Sequence, residues 1–428
     1  MAPVEFLQTL PNRWRGLPSD FRWFIIGLCL VTAGGHIVDP AFNNFLRDTF
    51  KLGADARGKL EFPRELPGFL VAMTSGILFF LPEVRTAAVA IFATAIGMLG
   101  LAWAGNQYGV MIAFLVLMST GQHLLMPMRS SIVLSFAKQG RQASLLGQTG
   151  SITTLAGILG ALFGWWFFAT FARNLTTYRV AFIAGAIVTA IGALAILKMR
   201  LPELAASGPR PKIVFNAKYW LYYVLSIFHG ARKQVFITFA PWVLITVYHR
   251  GPSTFAALAV VSAALGIFWQ PIVGWLVDRF GERTVLMSDG LILVAVCVSY
   301  GFAHRMGTGG WVLLIVYASF ILDQLLFAVG IARTTYIQKI AERPEDVTAS
   351  LSLGVTLDHA VSMSIPILGG ATWVMFGVEY VFVGAAVLAL CNSIMATFVR
   401  IPERARPTGM VAPNVAATTD VRAKRVAA

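Results

Sequence analysis

The chain alternates between long apolar runs and short polar segments over almost its whole length. A helix needs about 20 mainly apolar residues to cross a bilayer, and twelve runs reach that length. We number them as spans 1 to 12. They lie at about 22–46, 62–81, 86–105, 109–136, 143–169, 179–198, 219–246, 254–276, 284–303, 310–334, 347–374 and 379–399. The pattern predicts an all-α multi-pass membrane protein with twelve transmembrane helices.

Polar segments separate the spans into two sets of six. Residues 1–21 precede span 1, residues 200–218 form a linker that contains Pro and Gly, and residues 400–428 have the composition of a disordered tail. This predicts one six-helix bundle over 22–199 and a second over 219–399. Most of the 34 Lys and Arg lie on the side of the N-terminus. The positive-inside rule then predicts cytoplasmic termini and a plasma (inner) membrane location.

Composition excludes several classes of protein. Hydrophobic residues make up 57% of the chain and charged residues 13%, whereas soluble domains carry about 25% charged residues. The net charge of +14 follows the loops on one side, so it indicates acidic lipid headgroups as partners and not nucleic acid. Cys29, Cys297 and Cys391 all lie inside apolar runs, which predicts no disulfide. We expect no cofactor, no metal and a monomer.

The two halves contain short matching segments at corresponding places. Arg200-Leu-Pro-Glu follows span 6, and Arg400-Ile-Pro-Glu follows span 12. Ala143-Ser-Leu opens span 5, and Ala349-Ser-Leu opens span 11. Internal repeats of this kind are typical of transporters that are built from two related bundles.

The segment Gly274-Trp-Leu-Val-Asp-Arg-Phe-Gly-Glu-Arg283 after span 8 resembles the signature loop of the major facilitator superfamily. Gly76 and Arg85 stand at the same separation after span 2. The resemblance covers about residues 20–403. It implies two pseudo-symmetric six-helix bundles around a central cavity that spans 1, 4, 7 and 10 line.

The resemblance also implies a role for this loop. Asp278 would brace the loop against the start of span 11, near Val347, and stabilise the state closed to the cytoplasm. The predicted gating residues are Gly274, Asp278, Arg279, Gly281, Arg283, Gly76 and Arg85. Phe80 stands where the family has an Asp, and Glu282 replaces a usual basic residue, so we expect one such latch. The alternative is a loop that only fixes topology.

Ionisable residues lie at depth in spans 1, 4, 7, 10 and 11, where each charge costs about 3 kcal/mol on insertion scales and is usually functional or paired. The predicted substrate-binding residues are Arg232, Lys233, His229, Arg129, His36, His123 and Arg333. The predicted proton-coupling residues are Asp39, Asp323, Asp358, Glu61 and Glu65. Guanidinium groups suit a carboxylate or phosphate, and buried carboxyl groups can hold protons.

Two structural alternatives remain open at this point. The charges could form pairs that hold the halves together, such as Asp39 with Arg232 or Asp323 with Lys233. Glu61 and Glu65 could be ordinary acids at a helix N-terminus or part of an outer gate.

These features favour a proton-coupled secondary active transporter of a small anionic or zwitterionic organic solute, working by alternating access. Efflux of hydrophobic or cationic compounds is the alternative within transporters. A non-transporting membrane sensor or assembly factor is the alternative from another class. ATP-binding and hydrolase motifs are absent from the sequence, so we expect no enzyme.

Overall fold

The computed structural model describes residues 16–70, 82–104, 107–137, 142–199, 215–307 and 309–401. Within these ranges the chain is helical without β-strands, and nine of the helices are long and apolar enough to cross a membrane. This confirms the predicted all-α multi-pass class. The long helices are Ser19–Phe50, Glu83–Ala104, Tyr108–Ser135, Gln142–Thr170, Leu175–Leu197, Trp220–Thr246, Pro252–Phe302, Gly310–Leu326, Gly330–Ile340, Pro344–Phe376 and Val378–Ala396.

Spans 2 and 7 are not among the nine helices just counted. Span 2 is preceded by the short helix Ala54–Lys59 and begins as Glu61–Phe69, and residues 71–81 lie outside the described ranges. Span 7 is one continuous helix, Trp220–Thr246, which carries two cationic side chains near its middle. Some predictions concern residues outside the described ranges. These are residues 1–15, most of the linker and tail, Gly76 and Phe80.

The predicted loop between spans 8 and 9 is a single-residue break. Helix Pro252–Phe302 is interrupted only at Gly281, where φ is 79° and ψ is 160°. Glycine adopts positive φ without the clash that a Cβ would cause. Span 10 is also interrupted: Phe327–Val329 forms a 3₁₀ turn between Gly310–Leu326 and Gly330–Ile340. The span therefore ends six residues later than residue 334, where the sequence placed its end.

Buried side chains form three separate clusters. We call the side of residues 51–53 the outer side and the side of Gly281 the inner side. The largest cluster contains outer residues of both halves, among them Phe45 and Tyr178 from the first and Trp242 and Tyr300 from the second. The two halves therefore share one core on the outer side.

On the inner side each half has its own core. One cluster contains Tyr222, Leu286 and Tyr336, all from the second half. The other contains Phe24 and Ile196, from the first half. The described residues of the two halves are therefore packed into one shared cluster on the outer side and into separate clusters on the inner side.

Candidate functional site

A buried ion pair lies in the second half, between spans 7 and 10. Arg232 Nη1 donates to Asp323 Oδ1 at 2.7 Å, and the two side chains are 3% and 1% exposed. The guanidinium carbon also lies 5.2 Å from the ring centroid of Phe327. The positive charge of Arg232 is thus compensated inside one bundle.

A second ion pair lies beside the first. Lys233 Nζ donates to Asp358 of span 11, and these side chains are 15% and 19% exposed. The predicted pairs Asp39 with Arg232 and Asp323 with Lys233 are therefore wrong. Both observed pairs join helices of the second half, so they do not hold the two halves together.

Three of the charged residues predicted for the site have no ion-pair partner among the described residues. Asp39 is exposed and lies within electrostatic range of His36 and Arg64. Arg129 is half-buried and donates to Thr153 Oγ1 at 3.0 Å. Arg333 is half-buried and lies within electrostatic range of Asp289, Asp358 and Tyr222.

Arg129 and Arg333 occupy corresponding places in the two halves. Arg129 lies in the inner part of Tyr108–Ser135, the fourth span of the first half. Arg333 lies in Gly330–Ile340, the inner part of the fourth span of the second half. Each half therefore carries, at a similar depth, one guanidinium that forms no ion pair with a described residue. His36 and His229 are half-buried in spans 1 and 7.

Three hydrogen bonds between described residues join the halves, and all three lie on the outer side. Asn44 Nδ2 donates to the backbone carbonyl of Arg250 at 2.9 Å. Gln234 Nε2 donates to Glu61 Oε2 at 2.7 Å. The third joins His359 Nδ1 and Glu65 Oε2 at 3.0 Å. We call these residues and their immediate partners the outer seal.

Glu61 is the most heavily hydrogen-bonded carboxylate of the outer seal. It is fully buried and accepts from Arg57 and Arg64 of its own half as well as from Gln234. Arg57 also donates to Asn43 Oδ1 at 2.9 Å. Glu61 is therefore not simply an acid at a helix start: it connects span 2 to span 7 through buried polar groups.

The family model described as Major Facilitator Superfamily matches residues 66–357. The chain belongs to this superfamily. The structure of the nucleoside transporter NupG is similar with a TM-score of 0.71 at 13% identity, covering 89% of this chain and 99% of that one. The POT family transporter PepTSo gives 0.72 at 12% identity, covering 89% and 97%.

A bacterial homologue of the human lysosomal transporter Spinster, in an inward-facing and unoccupied conformation, gives a TM-score of 0.69 at 14% identity. The similarity covers 91% of this chain and 98% of that chain. No curated protein matches the sequence. The fold and the family are those of a major facilitator transporter and not of an enzyme.

The signature loop of this major facilitator does not make the contact predicted for it. Asp278 is exposed and makes no hydrogen bond or ion pair with any described residue. Its bracing of span 11 was predicted for the state closed to the cytoplasm, and that contact is absent from this conformation. Instead Glu282 is fully buried, and Lys339 Nζ lies 2.6 Å from its Oε1. Arg85, Arg279 and Arg283 are exposed.

The start of span 11 is held by the start of span 7. Tyr219 Oη donates to Asp346 Oδ2 at 3.0 Å, and Arg343 Nη2 donates to Asp346 Oδ1 at 3.1 Å. These hydrogen bonds, from Arg343 first, hold the pKa of the Asp346 carboxyl below its usual range. The helix that Asp278 was expected to brace is thus anchored within its own half.

Sequence reasoning missed several buried polar residues of this major facilitator. Arg57 is 1% exposed, although its segment reads as an ordinary charged loop. Gln234 directly follows Arg232 and Lys233, and of these three only the two cations were predicted as site residues. Asp289 is buried in span 9 with Oδ1 lacking a partner. An Asp several residues inside an apolar run was the signal that could have identified it.

Proposed function

We propose that this chain is a secondary active transporter of a small anionic or zwitterionic organic solute, coupled to protons and working by alternating access. The observation that carries the proposal is that each half has one guanidinium, Arg129 or Arg333, without an ion-pair partner among the described residues. We place the termini in the cytoplasm of a plasma (inner) membrane, in contact with acidic headgroups, and the inner side then faces the cytoplasm. We propose that it works as a monomer.

The arrangement of the cores supports alternating access. Halves that share a core only on the outer side leave the inner side open to the solvent. The ion pairs of Arg232 and Lys233 lie within one half, so they can stay intact while the halves rock. When the outer side opens, the outer seal and the shared outer core have to separate, whereas these ion pairs do not.

The two arginines support an anionic group on the substrate. A guanidinium binds a carboxylate or phosphate through two parallel hydrogen bonds. A solute that contacts Arg129 and Arg333 together stabilises the state in which the inner parts of the halves approach each other. A ligand shifts such an equilibrium only by its difference in affinity for the two states, and contacts to both halves supply that difference.

Asp39 supports the proton coupling. It is an exposed carboxylate halfway along the first span, it has no ion-pair partner among the described residues, and Arg64 of the outer seal is within its electrostatic range. Binding a proton removes one negative charge from the first half. Since that charge attracts Arg64, its loss changes the balance of charges next to the outer seal.

Uptake into proteoliposomes under an imposed pH gradient tests the proposal, after a thermal-shift screen of organic acids, phosphates and zwitterions has supplied a substrate. Loss of one charged hydrogen-bonding group weakens binding about 10- to 100-fold, so Arg333→Ala and Arg129→Ala should each reduce uptake by that factor at low substrate. Asp39→Asn should abolish the stimulation by the pH gradient and retain counterflow. Lys218→Ala removes an exposed cation and serves as control. Wild-type uptake by both arginine variants would contradict the proposal.

Export of cationic compounds is a second candidate, which the exposed and unpaired Asp39 favours. In that case Asp39→Asn abolishes binding of the compound, and Arg333→Ala leaves binding intact. The same two variants therefore separate the candidates, because an anionic substrate requires the opposite result.

A further inference from the structure

Three side chains of types that bind metal ions lie close together at the outer seal. Glu65 comes from span 2, His123 from span 4 and His359 from span 11, and all three are buried. One donor atom from each lies within 4.8 Å of the other two. The imidazole rings of His123 and His359 meet edge to face, with centroids 4.9 Å apart. Two imidazoles and a carboxylate form a ligand set that suits Zn²⁺ and related divalent ions.

The hydrogen bonds of His123 leave one ring nitrogen available. Its Nδ1 lies 2.9 Å from the backbone carbonyl oxygen of Ser119. A carbonyl oxygen can only accept, so Nδ1 carries the proton and Nε2 keeps its lone pair. Histidine ligands of metals typically donate their other ring N–H to such an acceptor, which fixes the tautomer and the orientation of the ring.

Gly68 provides the space in which the two rings meet. A Cβ at this position would lie 2.7 Å from Nε2 of His123 and 2.7 Å from Cε1 of His359. Gly68 is on the same helix as Glu65, one turn further on. The absence of a side chain there lets both rings approach the helix that carries the carboxylate.

Some charges near these three side chains favour a bound cation, and others oppose it. Arg64 Nη2 lies 3.9 Å from Glu65 Oε1, which opposes it. Arg64 also donates to Glu61 at 2.8 Å, but Glu61 accepts from Arg57 as well, so it compensates only part of the positive charge of Arg64. Asp39 is within electrostatic range of Arg64 and adds a further negative charge on the same side.

We propose that Glu65, His123 and His359 form a binding site for a divalent transition-metal ion such as Zn²⁺, which locks the outer seal. Glu65 and His123 belong to the first half and His359 to the second. The three ligands come together only while the halves are packed on the outer side. The ion therefore binds this conformation and holds it, so it inhibits the transport cycle and is not the transported solute.

Binding of metal to the purified full-length protein tests the site directly. Zn²⁺ is titrated by calorimetry, and Co²⁺ reports ligand number and geometry through its visible absorption. Loss of an outer partner of a ligand already costs 10- to 100-fold in metal affinity, so His123→Ala should lower Zn²⁺ affinity by at least that factor. The substitution His123→Ala leaves both partners of the Glu65–His359 hydrogen bond unchanged. His36→Ala is the matched control, because His36 Nδ1 lies 3.0 Å from the carbonyl of Thr32 in the same way.

Equal Zn²⁺ affinity in the wild type and in His123→Ala, or an equal loss in His36→Ala, would overturn the proposal. Gly68→Ala provides a second test if His123→Ala does not fold, since its methyl group crowds both rings and should also weaken binding. In proteoliposomes Zn²⁺ should inhibit the wild type and inhibit Gly68→Ala less. Because binding is measured without any solute, failure of the proposed transport function leaves this result unchanged.

Discussion

Arg232 and Lys233 are neighbours in the sequence, yet they pair with carboxylates of different helices. Successive residues of an α-helix are rotated by about 100°, so the two side chains leave span 7 in different directions. Arg232 meets Asp323 of span 10, and Lys233 meets Asp358 of span 11. Removing one partner destabilises the more buried pair, Arg232 with Asp323, more strongly, because the charge that remains has no access to water.

Asp323→Asn is expected to destabilise the protein by about 3–5 kcal/mol, the cost of breaking a buried ion pair by removing one partner. Thermal unfolding in detergent measures the effect. The double variant Arg232→Met with Asp323→Leu should recover most of the loss, because it removes both charges and keeps the volume apolar.

Asp55→Asn is the matched control for Asp323→Asn. Asp55 pairs with Lys59 at 2.8 Å, but both side chains are well exposed, and exposed pairs contribute only about 0–1 kcal/mol. An unfolding temperature of Asp323→Asn equal to that of this control would show that the buried pair does not stabilise the fold.

The sequence predicts the long helices better than it predicts their interruptions. Apolar length located spans 1, 3 to 9, 11 and 12 to within about four residues, because a membrane span has a clear physical requirement. Of the described span ends, only that of span 10 was misplaced further, by six residues. Helix Ala54–Lys59 was missed, since six residues give no reliable periodicity and its charges suggest a solvent-exposed loop. The pairing of Arg232 with Asp323 could not be predicted either, because it depends on which helices become neighbours.

The break at Gly281 offers a test at the level of one helix. A Cβ at Gly281 would meet no atom within 4 Å, so only its φ of 79° opposes a side chain. At φ 79° and ψ 160° the backbone lies in a region used almost only by glycine, and residues held in such regions cost about 1–3 kcal/mol. Gly281→Ala should therefore lower the free energy of unfolding by about that amount.

Gly274→Ala is the control for Gly281→Ala, and its expected effect has the opposite sign. Gly274 lies inside the same long helix, and a Cβ there also meets no atom within 4 Å. Ala is favoured over Gly in a helix interior by about 0.5–1 kcal/mol. Thermal unfolding of both variants compares the two positions; destabilisation by Gly274→Ala would show that space, and not φ, decides the cost.

At the scale of the whole molecule, the sequence predicts two bundles but does not predict how they meet. Repeated segments and the linker indicated two six-span halves. Which side is closed depends on a small difference in free energy between conformations of the same chain, and no pattern of apolar residues reports it. Glu61 illustrates this, because its contact with Gln234 requires that the halves meet on the outer side.

Gly58 is a position at which the closed outer side can be destabilised. A Cβ there would lie 2.1 Å from the carbonyl oxygen of Pro366, a backbone atom of the other half. Gly58→Leu should therefore shift the protein towards an outer-open state. Spin labels at Gln107 in the first half and Met306 in the second, both exposed, measure the distance across the outer side after Cys29, Cys297 and Cys391 have been replaced.

The comparison with Gly53→Leu makes the Gly58 experiment specific. Gly53 precedes the same short helix, but a Cβ there meets no atom within 4 Å, so the label distance should match that of the wild type. In Gly58→Leu the backbone of Pro366 cannot rotate away as a side chain would, and the two halves have to separate or the short helix has to move. A longer distance indicates separation of the halves. An unchanged distance, in a variant that still folds, would show that contacts elsewhere in the shared outer core keep this side closed.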